Sequence, residues 1–357
     1  MKFTEKELDD LIIKHNENFS EIAKFVKDDP DSVMYIIRKT HQTVILEHVS
    51  KDVLNNERVL LTAIIEEPRA FVLVPNKLRN DETFIKKAIT TYVSVLVYIP
   101  YKFKKNKEIM RLAVERHENA LAFAAFKLRH NKEFVTYAVN KFGIALAHAP
   151  KSLKRDFDVV WAAVKNDGAA FAYASKALQR HPDYKKLAIL AVSKHGRALE
   201  HVSKALRGDK EVVLEAVKKN GFALEHASKE LRKDRVVVLT AMNNIPYALK
   251  FADQSLLKDV NFICEVLKRT SKLTDYLVPN DLTNGKHYLI PRDTLALAKE
   301  KLKKEGFIPK EEKVSEETKN IEQTPVTHKH AIAKVIHKRI AKPYAKHENE
   351  EEMGLSR

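Results

Sequence analysis

The sequence predicts an all-α protein: an α-solenoid of about ten to eleven 25-residue helical-pair repeats, wound as a HEAT/armadillo-like superhelix. Three observations predict it. A phrase of the form apolar–basic–x–Asp/Asn begins at Val53, Leu78, Phe103, Leu128, Leu153, Leu178, Leu206, Leu231, Leu256 and Leu282. Successive gaps are 25 residues, except for 28 between Leu178 and Leu206 and 26 between Leu256 and Leu282. An Asp or Asn stands three residues after most of these anchors, and an alanine stands fifteen residues before eight of them, from Ala63 to Ala241. A fixed period of this length is the signature of stacked supersecondary units, none of which buries its apolar face alone.

Each column has a physical reason. Asn56, Asp81, Asn106, Asn131, Asp156, Asp209, Asp234 and Asp259 are N-cap types, able to accept from the free N–H groups of a first helical turn. Glu57, Glu82, Glu108, Glu133 and Glu211 follow, where a negative charge suits the helix dipole. This predicts a first helix of about eleven residues, as in KEVVLEAVKKN at 210–220. Its alanine leaves room for a neighbouring helix. Gly143, Gly168, Gly196 and Gly221, ten residues before their anchors, are expected to end that helix in the left-handed conformation. A shorter second helix follows, as in FALEHA at 222–227, with Ala223, Leu224 and Ala227 on its apolar face. It is expected to stop at Ser50, Pro75, Pro100, Pro150, Ser175, Ser203, Ser228, Asp253 and Pro279. The extra His181, Pro182 and Asp183 lengthen one loop between units.

The expected organisation is an N-terminal capping unit at 1–29, the solenoid at 30–285 and a C-terminal capping helix at 286–308 closed by Gly306 and Pro309. A polar, flexible linker follows at 309–327. Residues 328–345 read as a basic amphipathic helix with Ile332, Val335, Ile336 and Ile340 at helical spacing, and 346–357 as an acidic tail. The stretch 328–342 offers either a weak peripheral-membrane or partner-binding surface or a capping helix that folds back on the array.

The longest apolar runs, such as VSVLVYI at 93–99, are too short to span a bilayer, so no integral membrane segment is expected. The charged start MKFTEKELDD predicts no signal peptide. A single cysteine, Cys264, excludes an intramolecular disulfide and fits a reducing compartment; its apolar surroundings, FICEVL, predict a buried, inert thiol. These readings place the protein in the cytoplasm. There is no P-loop, dinucleotide fingerprint, nucleophile elbow or metal-spaced His/Cys set, so the sequence predicts no enzyme, cofactor or metal site. His48, His148, His201 and His226 share one column, but Leu73, Tyr98, Phe123, Tyr173 and Phe251 share it too, which argues for packing rather than ligation. Glu47, Glu200 and Glu225 precede histidines, yet adjacent helical residues diverge by about 100°, so they read as solvated.

The net charge of +16, of which the chain from Lys286 onward carries only +4, calls for an acidic or phosphate-bearing partner. The candidate surface is a ladder of cations beside the anchors: Arg79, Lys104, Arg129, Lys154, Arg207 and Arg232 one residue after, and Lys105, Arg155, Arg180 and Lys233 two after. Stacked along one edge, they are expected on exposed loop tips, where neighbouring Asp and Asn offset part of the charge. No aromatic residue is expected to interleave with the ladder, as a stacking single-strand binder would want.

The unit at 209–234, DKEVVLEAVKKNGFALEHASKELRKD, resembles an uncharacterised helical repeat, a domain of unknown function known from protists and the bacteria that live inside them. The likeness covers most of 55–260, with Val93, Glu118 and Pro246 where the pattern has glycine and Ala125 where it has serine or proline. That resemblance implies the fold and brings no activity. The cluster Glu348, Glu350, Glu351 and Glu352 is similar to the acidic C-terminal signals of effectors exported by type IV secretion, which implies translocation into a host cell. The functional expectation is a non-enzymatic scaffold binding a host protein. The alternative is a nucleic-acid-binding repeat protein using the basic ladder.

Overall fold

The computed structural model describes residues 2–269 and 290–307, and among them there are helices and turns but no strand. The expected linker at 309–327, basic helix at 328–345 and acidic tail at 346–357 lie outside the described residues, as do 270–285 of the solenoid.

Within the compact unit Met1–Ala298 the repeat is a triplet of helical segments rather than a pair. A ten-residue α-helix such as Lys210–Lys219 comes first, then a six-residue 3₁₀ segment such as Gly221–His226, then a short helical turn such as Leu231–Lys233. The predicted second helix is thus 3₁₀. Its start is fixed by an extended residue, Asn220 at φ −150°, and runs this short are typical of 3₁₀ connectors. The Ser/Pro column opens the third segment instead of merely closing the second. Ser175 Oγ accepts from Ala177 N–H and Asp253 from Ser255 N–H, while Pro75 and Pro100 fill the same cap position.

The Asp/Asn column caps the long helices as expected. Asp81, Asn131, Asp156 and Asp234 accept from the N–H three residues on, and Asn106 and Asp209 from two N–H groups each. Their outer oxygens also stitch units together: Lys132 reaches Asp156 (2.8 Å) and Asp158 (3.0 Å), Lys185 reaches Asp209 and Glu211 (both 2.8 Å), and Lys210 reaches Asp234 (2.6 Å). Arg235 pairs with Asp259 in the same register. The ladder misses one rung, at the insertion. There Phe157 replaces the lysine and stacks on His181, ring centroids 3.9 Å apart and planes within 9°.

The core forms where long helices and 3₁₀ segments of adjacent units meet. Ala63, Ala88, Ala113, Ala138, Ala163, Ala191, Ala216 and Ala241 are all fully buried, as are Leu96, Leu121, Leu146, Leu199, Leu224 and Leu249 on the 3₁₀ side. The glycine column serves this contact. None of Gly143, Gly168, Gly196 and Gly221 has positive φ, contrary to the expected left-handed cap. A methyl group on each would instead lie 2.3–2.6 Å from the carbonyl oxygen of the next unit's column alanine. Glycine is selected by close backbone approach. Where Pro68 and Val93 take its place, the 3₁₀ segments Pro68–Leu73 and Val93–Val97 still form.

Asn166 and Asn244 close two of these junctions. Each accepts the preceding unit's glycine N–H, from Gly143 at 2.7 Å and Gly221 at 2.8 Å. Their Nδ2 atoms donate back to the preceding long helix, to Asn140 O at 2.9 Å and Lys218 O at 3.1 Å. One amide thus satisfies two backbone groups that a helix end leaves open.

At the N-terminus stand two helices, Glu5–Lys14 and Phe19–Val26. The first is held by a capping box between Thr4 and Glu7, and Leu8, Ile22 and Val26 pack on Val33, Ile36 and Ile37. Within the expected span 286–308, of which 290–307 are described, a helix runs Arg292–Lys304, with Gly306 at φ +75° beyond it. Cys264 is buried, its thiol donating to Ala298 O at 3.6 Å.

Candidate functional site

The basic ladder separates into two rows. Arg79, Lys104, Arg129, Lys154, Arg207 and Arg232 are half-buried, whereas Lys105, Arg155, Arg180 and Lys233 are exposed. Three members of the first row turn back onto their own 3₁₀ segments. Arg79 donates to Val72 O (2.7 Å) and Val74 O (2.8 Å), Lys104 to Val97 O (3.1 Å) and Lys154 to Ala147 O (2.7 Å). These carbonyls end a short helical run, so a cation there both satisfies them and complements the local dipole. Burial lowers the Lys104 and Lys154 ammonium pKa values below the ordinary lysine range. The backbone of the same row joins units: the N–H of Ala125, Ser175, Ser228 and Asp253 donates to the carbonyl of Lys104, Lys154, Arg207 and Arg232, at 2.8–3.0 Å. The first row was expected on loop tips; the side chains of Arg79, Lys104 and Lys154 instead tie down the 3₁₀ segments of their own units. The second row is exposed to solvent.

Rings stand beside the cations, contrary to the expectation that none interleaves with the ladder. Lys154 Nζ lies 6.0 Å from the Tyr173 ring centroid, and Lys105 Nζ lies 4.8 Å from that of Tyr101. His148, whose Nε2 is 2.9 Å from Asn119 Oδ1, has its pKa lowered by burial first and then by the positive charges of Lys154 and Arg129. In the same column His226 is half-buried, while His48 and His201 are exposed. Solenoid stacking brings Tyr173 beside Lys154 and Arg129 near His148, each pair about twenty positions apart in sequence, whereas Tyr101 and Lys105 are one helical turn apart.

Two further columns escaped the sequence reading. Two residues before the anchor stand Tyr101 and Phe126, then Lys151, Lys176, Lys204 and Lys229, all exposed. Six before it stand Val72 and Val97, also exposed. The signal that finds them is a local change of residue type along a column: Tyr101 and Phe126 stand between Asn76 and Lys151, and Val72 and Val97 between Glu47 and Ala122. No helix among the described residues is long and apolar enough to cross a membrane.

Four matches to one family, described as Domain of unknown function (DUF4116), cover residues 56–103, 81–129, 131–179 and 184–232. Each spans two triplets and begins at the position of the long-helix N-cap column, so the family's unit is a pair of the repeats described above. No curated protein and no solved structure matches the chain.

Proposed function

Because the chain belongs, through its array at residues 56–232, to the DUF4116 repeat family, whose description carries no activity, we propose its function from what the array exposes: a non-enzymatic scaffold that binds a protein partner. One observation carries the reading. Val72, Val97, Tyr101 and Phe126 expose 50%, 51%, 56% and 61% of their surfaces in three consecutive units, and Tyr98 stands among them. Large aromatic and aliphatic groups left exposed in consecutive units of a charged surface have the composition of an interface core. Lys105, Arg155 and the lysine column supply a basic flank, which favours a partner with an acidic rim.

The test places a photo-crosslinking residue at Tyr101 or Phe126 and, as a control, at exposed Ile65 in cells or host lysate. A discrete protein adduct at the first two positions only, lost in Y101A/F126A, supports the reading; equal labelling at all three sinks it. Truncating such an anchor is expected to weaken binding by about 2 kcal/mol or more. Delivery into a host cell, suggested by the resemblance of the acidic C-terminal cluster to export signals, belongs to the same proposal and is tested by a translocation reporter fused to the chain.

A second reading, nucleic-acid binding, draws on the alternation of cations and rings at Arg129, His148, Lys154 and Tyr173. It requires binding to single-stranded nucleic acid that survives physiological salt and falls in an R155E/R180E/K233E variant.

A further inference from the structure

The insertion at His181–Asp183 does more than lengthen a loop. At Ala125, Ser175, Ser228 and Asp253 the cap-column N–H donates to a backbone carbonyl of the preceding unit. Ser203 N–H donates instead to the Tyr184 hydroxyl, at 3.1 Å. The cation of that preceding unit is also missing, since Gln179 occupies its place and is exposed. Where the rung is replaced by a side chain, a cavity of about 500 Å³ opens between the third segment Lys176–Arg180 and the 3₁₀ segment Gly196–His201 with the turn beyond it. That volume lies within the range of small-molecule sites.

The chemistry of its lining is one-sided. Lys176, Lys204 and Arg207 contribute three cations, His201 and Gln179 add polar nitrogen, and Glu200 is the single acid. Glu200 leans towards His226, 3.9 Å away in the next unit. Arg207 Nε is buried with no hydrogen-bond partner. Arg129 and Arg232 share that property in their own units, but it is Arg207 that lines this cavity. Phe171, Tyr184 and Val202, each nearly fully buried, give it an apolar floor. We propose that this cavity binds a small phosphorylated molecule, its phosphate on Lys176, Lys204 and Arg207 and its organic part on Phe171 and Tyr184. Three cations against one acid suit a group carrying nearly two negative charges better than a carboxylate carrying one. The cavity also exceeds what a bare phosphate fills.

The test is calorimetric titration of the full chain with phenyl phosphate, inorganic phosphate and benzoate. Phenyl phosphate is expected to bind, inorganic phosphate more weakly, and benzoate weakest of all. K204Q and R207Q should each weaken phenyl phosphate by roughly tenfold, as expected for loss of a charge-assisted contact. R232Q, the equivalent of R207Q one unit on, should bind like the parent chain. Lys204 is exposed, so K204Q keeps the test valid if R207Q fails to fold. Absence of phenyl phosphate binding at millimolar concentration, equal binding of benzoate, or equal loss in R232Q would overturn the proposal.

Discussion

A methyl group at Gly221 would lie 2.3 Å from the carbonyl oxygen of Ala241, one unit further along the array. The same oxygen accepts the last hydrogen bond of its own long helix, from Ile245 N–H at 2.9 Å. It has no freedom to retreat, so the spacing of neighbouring units is set at this point.

Gly221→Ala and Gly143→Ala are therefore expected to destabilise the array by about 1–3 kcal/mol each, the usual range for overpacking. Gly208→Ala supplies the contrast, because a methyl group there meets only Ser228 atoms at 3.7 Å and φ is not positive. It should be neutral or stabilising by up to about 1 kcal/mol, through the unfolded chain's reduced freedom. Urea denaturation midpoints of the three variants check the opposite signs.

Asn244→Ala and Asn166→Ala each remove an acceptor for a glycine N–H and a donor for a helix carbonyl. Leaving such groups unsatisfied costs about 1–3 kcal/mol. Hydrogen exchange should show the loss locally, at the Gly221 and Gly143 amides, before the rest of the array responds. Uniform acceleration along the chain would contradict a local clamp.

Stability should fall in acid through three cap residues. Burial alone would raise the carboxyls of Asp156, Asp209 and Asp234, but hydrogen bonds from Lys132, Lys185 and Lys210, and from first-turn N–H groups, hold them below the ordinary value. Their contribution is complete above the unfolded carboxyl pKa of about 3.9 and is lost as pH falls through the lower folded values. In D156N/D209N/D234N the acid-dependent loss should flatten. The caps themselves should survive, since Asn56, Asn106 and Asn131 perform the same role in other units. Midpoints measured from pH 7 to pH 2 decide it.

Charge reversal should sort the basic ladder by row. Arg155, Arg180 and Lys233 are exposed, so R155E/R180E/K233E should melt within about 0.5 kcal/mol per site of the parent chain. Lys154→Glu places a carboxylate near Ala147 O, the acceptor of the lost ammonium, and should cost about 1–3 kcal/mol. A K154E variant as stable as the parent would show that Lys154 does not tie down its 3₁₀ segment.

Much of the fold was legible because a repeat writes each structural need many times. Asp209 and Asp234 could be read as caps from their register alone, and the buried alanine column from its recurrence. Gly221 was placed correctly in the unit but for the wrong reason. Positive φ and close approach of a neighbouring backbone both select glycine, and a linear pattern does not distinguish them. The same limit applied to Arg79, Lys104 and Lys154. Their spacing puts them at a turn, but whether a cation meets water or a carbonyl depends on where the preceding 3₁₀ segment ends.

The sequence by itself determined the period, the caps, the all-helical class and the site of the irregular unit, because these follow from local backbone chemistry. The tertiary structure decided which cations are spent inside the repeat, that Phe157 stacks on His181, and that Ser203 finds the Tyr184 hydroxyl where other units find a carbonyl. Those outcomes rest on atoms from adjacent units meeting at hydrogen-bond or van der Waals distance. Residues roughly twenty to thirty positions apart become neighbours only when the units stack.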